Sequence, residues 1–355
     1  MASQTSTYSS SSIRSISYKR LSSRIPEIRL LEIAPTGDLE RPISCRLVNV
    51  PLSEKPVFVG LSVLLGDSTI AEIILMNHSR VHIPATLAEA IRHVRTVFND
   101  GSGPSSRHSI SSSISSTPKL SRNLDVASVS SKESYSSRQP LRRLCDLVNS
   151  GKTNPPKPQP LRIWTDSLCI NEDDSREAGD RAKLMQVAYR RARTVVGWLG
   201  LKHDSSEILV DTLKTIDRAM PDGFGSPKDK ADHPENYSPH SSWMAGMMQP
   251  WLVADEVNQL DDCPIHEAMR NFMLRPYFQN SWIVRELAGA TFPTFLLEDR
   301  IVSWAQVLRM NRATEELVNH GTDLIPDKYR EQLNLFSLDT IFIFLDAFDV
   351  YCRGS

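Results

Sequence analysis

The second half of the chain alternates short apolar runs with amphipathic segments, and this alternation constrains the fold more than any other feature. Residues 162–170 and 195–200 read as buried strands. Residues 176–194 and 205–220 carry apolar side chains at helical spacing. Strands that are apolar throughout are typical of parallel sheets with helices on both faces. The pattern predicts an α/β fold with an open, mainly parallel sheet flanked by helices.

The first half of the chain adds shorter elements of the same kind. Residues 56–66 form an apolar run that ends on glycine and predicts a strand. Residues 72–84 predict a β-hairpin that turns around Asn77. Residues 86–98 place apolar side chains on one helical face, and Thr86 is the expected cap of that helix.

Two serine-rich stretches interrupt these elements. Residues 1–26 are rich in serine and contain no acidic residue, which predicts a disordered tail, with an organelle-targeting peptide as the alternative. From Gly101 to Arg138, 16 of 38 residues are serine. Such a segment cannot bury enough apolar surface to offset its ordering entropy. We therefore expect a long disordered insertion at about residues 99–140.

The bulk composition excludes several classes of protein. A formal net charge of -1 provides no basic field that would favour a nucleic acid. No apolar run approaches the roughly 18 residues of a membrane span. The five cysteines lie far apart, without the paired spacing of a zinc site, which is typical of a reducing compartment. We expect a cytoplasmic protein that holds no metal.

The stretch RIWTDSLCINEDD, residues 162–174, places one carboxylate inside a predicted strand and an acidic cluster behind it. In open α/β sheets, ligands gather at the carboxyl ends of strands, beside helix amino termini. Asp166, Asn171 and Asp173 are therefore expected at that edge. Asp173 and Asp174 also suit the first turn of the next helix, so a capping role competes with ligand binding there.

Asp166 is the most informative residue of this stretch. A carboxylate inside a buried strand needs a partner, because burial of an unpaired charge is costly. Two partners are possible on sequence grounds, namely Arg285 or the backbone N–H groups of the loop after Ile170. With either partner, removal of Asp166 is expected to destabilise the fold by about 2–4 kcal/mol.

Three blocks of the sequence resemble the fungal heterokaryon-incompatibility (HET) domain family. RIWTDSLCINEDD, with the later LMQVAYRRARTVVGWLG, is similar to the family's W-I-D-A-L-C-I-N-Q-x-D strand and loop and to its following helix and W-L-G strand. Residues 27–68 resemble the family's opening region, and FMLRPYFQNSWIVRELAGA resembles its R-P-W-F-x-R-x-W-V-V-Q-E block. Three blocks in one order are more specific than any single motif. The resemblance implies a HET domain at residues 27–299 and a helical extension at residues 300–355.

The family is distantly similar to Toll/interleukin-receptor (TIR) domains, so the resemblance implies a TIR-like or flavodoxin-like sheet with a ligand site at its carboxyl edge. Some TIR domains cleave NAD, which makes NAD a possible substrate, and no tightly bound cofactor is expected. The resemblance implies nucleotide binding by six residues of this chain, namely Ser62, Gly66, Asp67, Asp166, Asn171 and Arg285.

Glu286, in the stretch WIVRE, is the catalytic candidate that this analogy implies. Cleavage of the nicotinamide–ribose bond passes through an oxocarbenium-like transition state that a nearby carboxylate stabilises. Nicotinamide leaves as a neutral molecule, so one carboxylate suffices without a general acid. The alternative for Glu286 is a solvated helix glutamate, or a salt bridge with Arg285 or Arg275.

The resemblance implies a role in self/non-self recognition between fungal colonies and in triggering cell death. The expected partners are proteins, either allelic or non-allelic incompatibility factors or further copies of the chain. Departures from the family pattern favour a second interpretation, a non-enzymatic interaction module of the same fold. Positions where the family usually has glutamine are held by Glu172, Arg181 and Arg285, and aromatic positions by Phe58, Val63 and Leu65.

Overall fold

The computed structural model describes residues 15–34, 36–67, 69–98, 160–202, 205–221, 224, 227–237, 243–244, 264–280, 290 and 293–320. All structural statements below concern these residues. The predicted insertion at about 99–140 and the chain after residue 320 lie outside them.

The described strands form one nine-stranded sheet in the order β5-β4-β2-β1-β6-β3-β7-β8-β9. In chain order they are β1 (Glu27–Ile33), β2 (Ser44–Pro51), β3 (Val59–Val63), β4 (Ala71–Met76), β5 (Ser79–Pro84), β6 (Leu161–Trp164), β7 (Thr194–Trp198), β8 (Pro293–Leu297) and β9 (Arg300–Ser303). Helices cover parts of this sheet, so the predicted α/β class is confirmed.

The sheet is mixed, which corrects the prediction of a mainly parallel one. Strands β6, β3, β7 and β8 run parallel to one another, and β2 runs parallel to β4. Strand β1 is antiparallel to both β2 and β6, and the hairpins β4–β5 and β8–β9 form the two edges. Short connections account for the antiparallel pairs of consecutive strands, β1–β2, β4–β5 and β8–β9, whereas parallel pairing needs a long crossover. The antiparallel β1–β6 pair joins strands that are distant in the sequence.

The described α-helices mostly follow the predicted pattern. They are α1 (Ala85–Val97), α2 (Asp166–Cys169), α3 (Ser175–Gly179), α4 (Arg181–Arg191), α5 (Ser206–Ala219), α6 (Pro227–Asp232), α7 (Pro264–Met273) and α8 (Trp304–His320). Short 3₁₀ turns span Leu52–Glu54, Pro234–Tyr237 and Pro276–Gln279.

Two helix predictions need correction. Helix α1 follows Pro84 without any side-chain cap, so Thr86 lies inside the helix and does not cap it. The helix predicted at residues 176–194 is two helices, α3 and α4, which meet at Asp180. Asp180 holds backbone angles outside the helical region, and it serves α3 as C-cap and α4 as N-cap.

Two glycines allow aromatic side chains to lie directly on the sheet. A Cβ atom at Gly60 would come within 2.9 Å of Tyr189, and one at Gly197 within 2.5 Å of the Tyr277 hydroxyl oxygen. Tyr189 also packs edge-on against Trp164, with ring centroids 5.0 Å apart. Trp164 is buried as predicted. These contacts fix α4 and the Pro276–Gln279 turn on one side of the parallel strands.

The segment before β1 is packed against the domain over residues 15–26, which contrasts with the predicted tail. The carbonyl oxygen of Lys19 accepts hydrogen bonds from Arg29 at 2.8 and 3.1 Å. Arg20 forms an ion pair with Asp174 at 3.2 Å, and its carbonyl oxygen accepts a bond from Asn49 at 2.9 Å. The serine content did not predict these contacts, because Arg29 and Asn49 bind the backbone of this segment and not its side chains.

Candidate functional site

The carboxyl ends of four parallel strands meet at one edge of the sheet. Strand β6 ends at Trp164, β3 at Val63, β7 at Trp198 and β8 at Leu297. The loops that follow therefore lie side by side, at the edge where open α/β sheets bind their ligands. The site residues predicted from the sequence fall mainly on the loops after β6 and β3.

The structure corrects the placement of Asp166. Strand β6 ends two residues earlier, and the Thr165 carbonyl oxygen accepts the first N–H bonds of α2, so Asp166 opens a one-turn helix. Its side chain is 19% exposed and forms an ion pair with Arg181, rather than with the predicted Arg285 or loop N–H groups. Asp166 is therefore an edge residue whose charged partner, among the described residues, is Arg181.

Arg181 joins Asp166 to Glu172. Its guanidinium donates a hydrogen bond to each of the two carboxylates. Burial lowers the pKa of Arg181, but the two carboxylates outweigh this effect and raise that pKa overall. Glu172 and Arg181 stand where the resembled family usually has glutamine, so two departures from its pattern form one ion pair. Their opposite charges were a signal in the sequence from which this contact could have been predicted.

Asn171 organises the loop between α2 and α3. Its N–H donates to Glu177 at 2.9 Å, and its side-chain oxygen accepts the N–H of Asp173 at 3.2 Å. Asp174 accepts the N–H of Arg176 at 3.0 Å and is the N-cap of α3, which confirms its predicted capping role. Asp173 is exposed and does not cap the helix. The predicted ligand role of Asn171 stays a prediction.

A buried ion pair that was not predicted holds this loop against β1. Arg29 and Glu177 are both buried, and Arg29 Nη2 donates to Glu177 Oε1 at 2.6 Å. Arg29 Nη1 also donates to the carbonyl oxygen of Cys169 at 3.1 Å. Burial raises the pKa of Glu177, but the bonds from Arg29 and from the Asn171 N–H outweigh it and lower that pKa. A charged residue inside the apolar run EIRLLEI was the available signal, since it requires a buried partner.

Ser62 lies in the core of the sheet. It is 1% exposed, and its hydroxyl oxygen accepts a hydrogen bond from the Tyr277 hydroxyl at 2.9 Å. Tyr277 reaches it across Gly197, the strand partner of Ser62. This contact ties the Pro276–Gln279 turn to β3, so the described geometry assigns Ser62 a packing role.

Gly66 and Asp67 lie on the exposed loop after β3. Gly66 has a φ of +66°, a conformation that favours glycine, and a Cβ atom there would lie 3.7 Å from Thr86 Oγ1. Asp67 accepts the N–H of Thr69 at 2.8 Å, and this bond lowers the pKa of Asp67. Both residues lie at the predicted edge, and nucleotide binding by them stays a prediction.

A histidine that was not selected as a site residue lies at the same edge. His93 of α1 stacks on Trp198, with ring centroids 5.0 Å apart, and it hydrogen-bonds the backbone of Glu298. Burial lowers the pKa of His93, although nearby carboxylates oppose this shift. One turn earlier on α1, burial raises the pKa of Glu89. Opposite shifts of this kind, which lower the pKa of an imidazole and raise that of a carboxyl group, are found at functional sites as well as in structural networks.

Arg275 secures the loop after β7. It donates hydrogen bonds to the carbonyl oxygens of Leu199 and Leu201, and burial lowers its pKa. Its guanidinium is therefore used to hold the carboxyl edge in place. Arg285 and Glu286 lie outside the described residues, so nucleotide binding by Arg285 and catalysis by Glu286 stay predictions.

The described part of the chain also bears on metals and membranes. Among the residues with described side chains, no group of three or more His, Cys, Asp and Glu could hold a metal ion. None of the described helices is long and apolar enough to cross a membrane.

The comparisons with known proteins point to one class. Residues 152–286 match the family model described as heterokaryon incompatibility protein (HET). This region contains β6, the Asp166–Asn171 loop, α4 and β7, which together supply half of the carboxyl edge. The match supports the predicted HET domain, whereas similarity to TIR domains is not tested by it.

A particular relative agrees with that class. Over 321 residues the chain is 24% identical to heterokaryon incompatibility protein 6, OR allele, of Neurospora crassa. The aligned region covers 86% of this chain and 38% of the relative, so the chain spans less than two fifths of that protein. No solved structure matches the chain.

Proposed function

We propose that this chain is a HET-type module of fungal self/non-self recognition that triggers cell death after incompatible fusion. The match of residues 152–286 to the HET family supports this role, as does the similarity to an incompatibility protein of Neurospora crassa. The module acts through protein partners, either incompatibility factors or further copies of the chain.

One observation favours an interaction module over an enzyme. Three side chains assigned to nucleotide binding have partners within the fold, because Ser62 bonds Tyr277, Asp166 pairs with Arg181, and Asn171 accepts the Asp173 N–H. A ligand would have to compete with each of these contacts. The loops of the carboxyl edge are thereby held as a fixed surface, which suits recognition of another protein.

Expression in a fungal host tests this function. We expect the wild-type chain to cause cell death, and the Glu286→Ala variant to cause it equally without loss of cellular NAD. The exposed glutamate of α7, as Glu267→Ala, is the matched control for removal of a helix carboxylate. A chain that has no effect on viability when it is expressed at high level would contradict the proposed role.

The second candidate function is hydrolysis of NAD at the same edge. The observation that favours it is the pair of groups with shifted pKa values, His93 and Glu89, beside the loops where a ligand would bind. In this reaction water adds to the ribose C1′ atom as the bond to nicotinamide breaks. Nicotinamide departs with the bonding electrons as a neutral molecule, and the proton of water is released. Glu286 would stabilise the positive charge that develops on the ribose.

Purified protein at high concentration tests the hydrolase. If the candidate is right, nicotinamide accumulates with NAD, and Glu286→Ala abolishes its release while the melting temperature stays unchanged. The control Glu267→Ala keeps the wild-type rate. Release that is equal in Glu286→Ala and in the wild type would remove Glu286 from the reaction.

A further inference from the structure

Residues 15–26, which precede β1, form a strap over the loop that follows β6. The carbonyl oxygen of Lys19 accepts two hydrogen bonds from the guanidinium of Arg29, at 2.8 and 3.1 Å. That guanidinium also lies over the ring of Tyr18, 5.0 Å from its centroid. Since Arg29 donates to the carbonyl oxygen of Cys169 as well, at 3.1 Å, the strap covers the buried cation that holds this loop.

The strap is held mainly by polar contacts. The carbonyl oxygen of Arg20 accepts a hydrogen bond from Asn49 at 2.9 Å, and its guanidinium pairs with Asp174 at 3.2 Å. The side chain of Arg20 is 75% exposed in that pair, so solvent screens the attraction. Of the apolar strap residues, Ile16 packs on the core but is only partly buried, and Ile25 is 47% exposed. A segment held in this way can open locally while the domain stays folded.

The sequence of the strap indicates a kinase substrate at Ser22. The chain contains three pairs of adjacent lysine or arginine residues, and only the pair Lys19–Arg20 has a hydroxyl residue two positions further on, which is Ser22. Protein kinases that require basic residues two and three positions before a serine bind those residues with carboxylates of their own. Lys19, Arg20 and Ser22 are all exposed, so the phosphoacceptor and both recognition residues are open to an enzyme.

Ser22 lies in a turn where an added phosphate would meet a carboxylate. Its N–H donates to Glu27 Oε2 at 2.9 Å. Its hydroxyl oxygen accepts the N–H groups of Arg24 and Ile25 at 3.1 and 3.3 Å. A phosphate on this oxygen carries about 1.5–2 negative charges at neutral pH, and like charges side by side disrupt the structure that holds them. Repulsion from Glu27 therefore opens the turn at the base of the strap.

The same phosphate competes with the domain for Arg20. This arginine lies two residues before Ser22, and one carboxylate, that of Asp174, is its charged partner among the described residues. A phosphate presents three strong acceptor oxygens, to which a guanidinium donates charge-assisted hydrogen bonds. Arg20 then pairs with the phosphate within the strap, and the ion pair that joins the strap to Asp174 is lost.

We propose that a kinase of this specificity phosphorylates Ser22 and that the phosphate keeps the strap off the domain. The bond between the γ-phosphorus of ATP and the leaving oxygen of ADP breaks as the bond to Ser22 Oγ forms. The hydroxyl proton passes to a carboxylate of the kinase and then to water, and ADP departs. The kinase acts on the open strap, and the phosphate shifts the population toward that state.

Release of the strap uncovers the loop between α2 and α3, which lies in the region that matches the HET family. That this exposure controls recognition of a partner rests on the proposed function. Phosphorylation and release themselves are measured on purified protein, without a fungal host or NAD. They therefore succeed or fail independently of the cell-death experiment.

Phosphorylation of the purified full chain tests the site. The chain is incubated with ATP and cyclic-AMP-dependent protein kinase, and the phosphopeptides are identified by mass spectrometry. We expect phosphate on Ser22, and a several-fold lower rate in Arg20→Ala, although that variant loses its ion pair with Asp174 and opens more readily. Absence of phosphate from Ser22, or an equal rate in Arg20→Ala, overturns the proposal.

Fluorine NMR tests release of the strap. Fluorotyrosine in place of Tyr18 reports whether the ring lies against Arg29, and a synthetic peptide of residues 15–26 gives the resonance of the released strap. We expect phosphorylation to move the resonance of the full chain to that of the peptide. Kinase-treated Ser22→Ala should keep its own untreated resonance, which controls for phosphate on other serines. A resonance that phosphorylation of Ser22 leaves in place overturns the proposal.

A variant of the neighbouring carboxylate tests why the strap is released. Glu27→Gln keeps an acceptor for the Ser22 N–H but removes the negative charge. After phosphorylation to the same extent, we expect this variant to retain a several-fold larger docked fraction than the wild type. Equal docked fractions would overturn the role of like-charge repulsion in the release.

Discussion

Arg29 connects three separate parts of the chain from one buried guanidinium group. It donates to the Lys19 carbonyl before β1, to the Cys169 carbonyl at the end of α2, and to the carboxylate of Glu177 in α3. The loop with the strongest family resemblance therefore depends on a residue more than one hundred positions away. Arg29 and Glu177 therefore stabilise the fold through contacts within the chain.

Removal of the Glu177 carboxylate should strongly destabilise the fold. In Glu177→Ala the Arg29 guanidinium would stay buried without its charged partner, so we expect a loss of about 3–5 kcal/mol in the free energy of unfolding. Urea unfolding followed by circular dichroism measures this loss. The control is Glu172→Ala, since Glu172 is 66% exposed in its ion pair with Arg181, and we expect a loss of about 1 kcal/mol or less. Equal losses of stability in the two variants would contradict the assignment of Glu177 as the buried charged partner of Arg29.

The same carboxylate should make stability depend on pH. The pKa of Glu177 is lowered in the folded protein, so its contribution is fully present above the unfolded value of about 4.3. It is lost as the pH falls through the lower folded value. We therefore expect the stability gap between wild type and Glu177→Gln to be constant near neutral pH and to narrow below about pH 4.3. A gap that widens on acidification would show that the pKa of Glu177 is raised in the folded protein.

Asp166→Ala should have a smaller effect than its sequence context suggests. Its partner Arg181 is 45% exposed, so solvent screens the pair, and we expect a loss of about 1 kcal/mol rather than about 2–4 kcal/mol. Added salt should reduce the difference further. A larger loss that is insensitive to salt would restore the reading of Asp166 as a core residue.

The elements differ in how well they could be predicted. Four elements could be predicted from local patterns, namely strands β3 and β7, the β4–β5 hairpin and helix α5. Burial on both faces gives a continuous apolar run, and burial on one face gives periodic apolar residues. Strand β1 carries two buried charges, Arg29 and Glu32, whose partners lie far away in the sequence. A local pattern shows that each buried charge needs a partner, but it does not show which distant residue supplies that partner. The identity of the network's members and the edge position of Asp166 therefore required the structure.

The close approach of the Pro276–Gln279 turn to β7 gives a prediction for this element. A Cβ atom at Gly197 would lie 2.5 Å from the Tyr277 hydroxyl oxygen and 3.0 Å from Phe295. Gly197→Ala should therefore destabilise by about 1–3 kcal/mol through overpacking. The control is Gly179→Ala at the end of α3, where nothing lies within 4 Å, and we expect no loss or a slight gain. Thermal unfolding of both variants decides whether the turn is packed as described.

At the scale of the whole molecule, the resemblance predicted a HET domain, and residues 152–286 match the HET family model. The residues of the carboxyl edge had to be located by the structure. His93 and Glu89 sit on α1, outside every block that carried the resemblance, and they reach the edge only because α1 packs beside β3. Sequence order does not reveal that proximity. Three positions assigned from the blocks, namely Ser62, Asp166 and Asn171, instead make contacts within the fold.

Deletion of the serine-rich insertion tests the domain organisation as a whole. If residues 101–138 make no packed contacts, as their composition predicts, their removal shortens a loop and should shift the melting temperature by no more than a few degrees. Differential scanning fluorimetry of the deletion variant measures the shift. A drop of more than ten degrees would show that this segment is part of the core.

The order of strands also sets the sequence of events during synthesis on the ribosome. Strand β1 lies between β2 and β6, and β3 lies between β6 and β7, although β6 begins only at residue 161. The hairpins β1–β2 and β4–β5 can pair as soon as they emerge, but the centre of the sheet stays incomplete until β6 and β7 have been translated. Exposed strand edges therefore persist while residues 64–193 are synthesised, and long-range closure of this kind is slow. The nascent chain should depend on chaperones between the synthesis of α1 and that of β7.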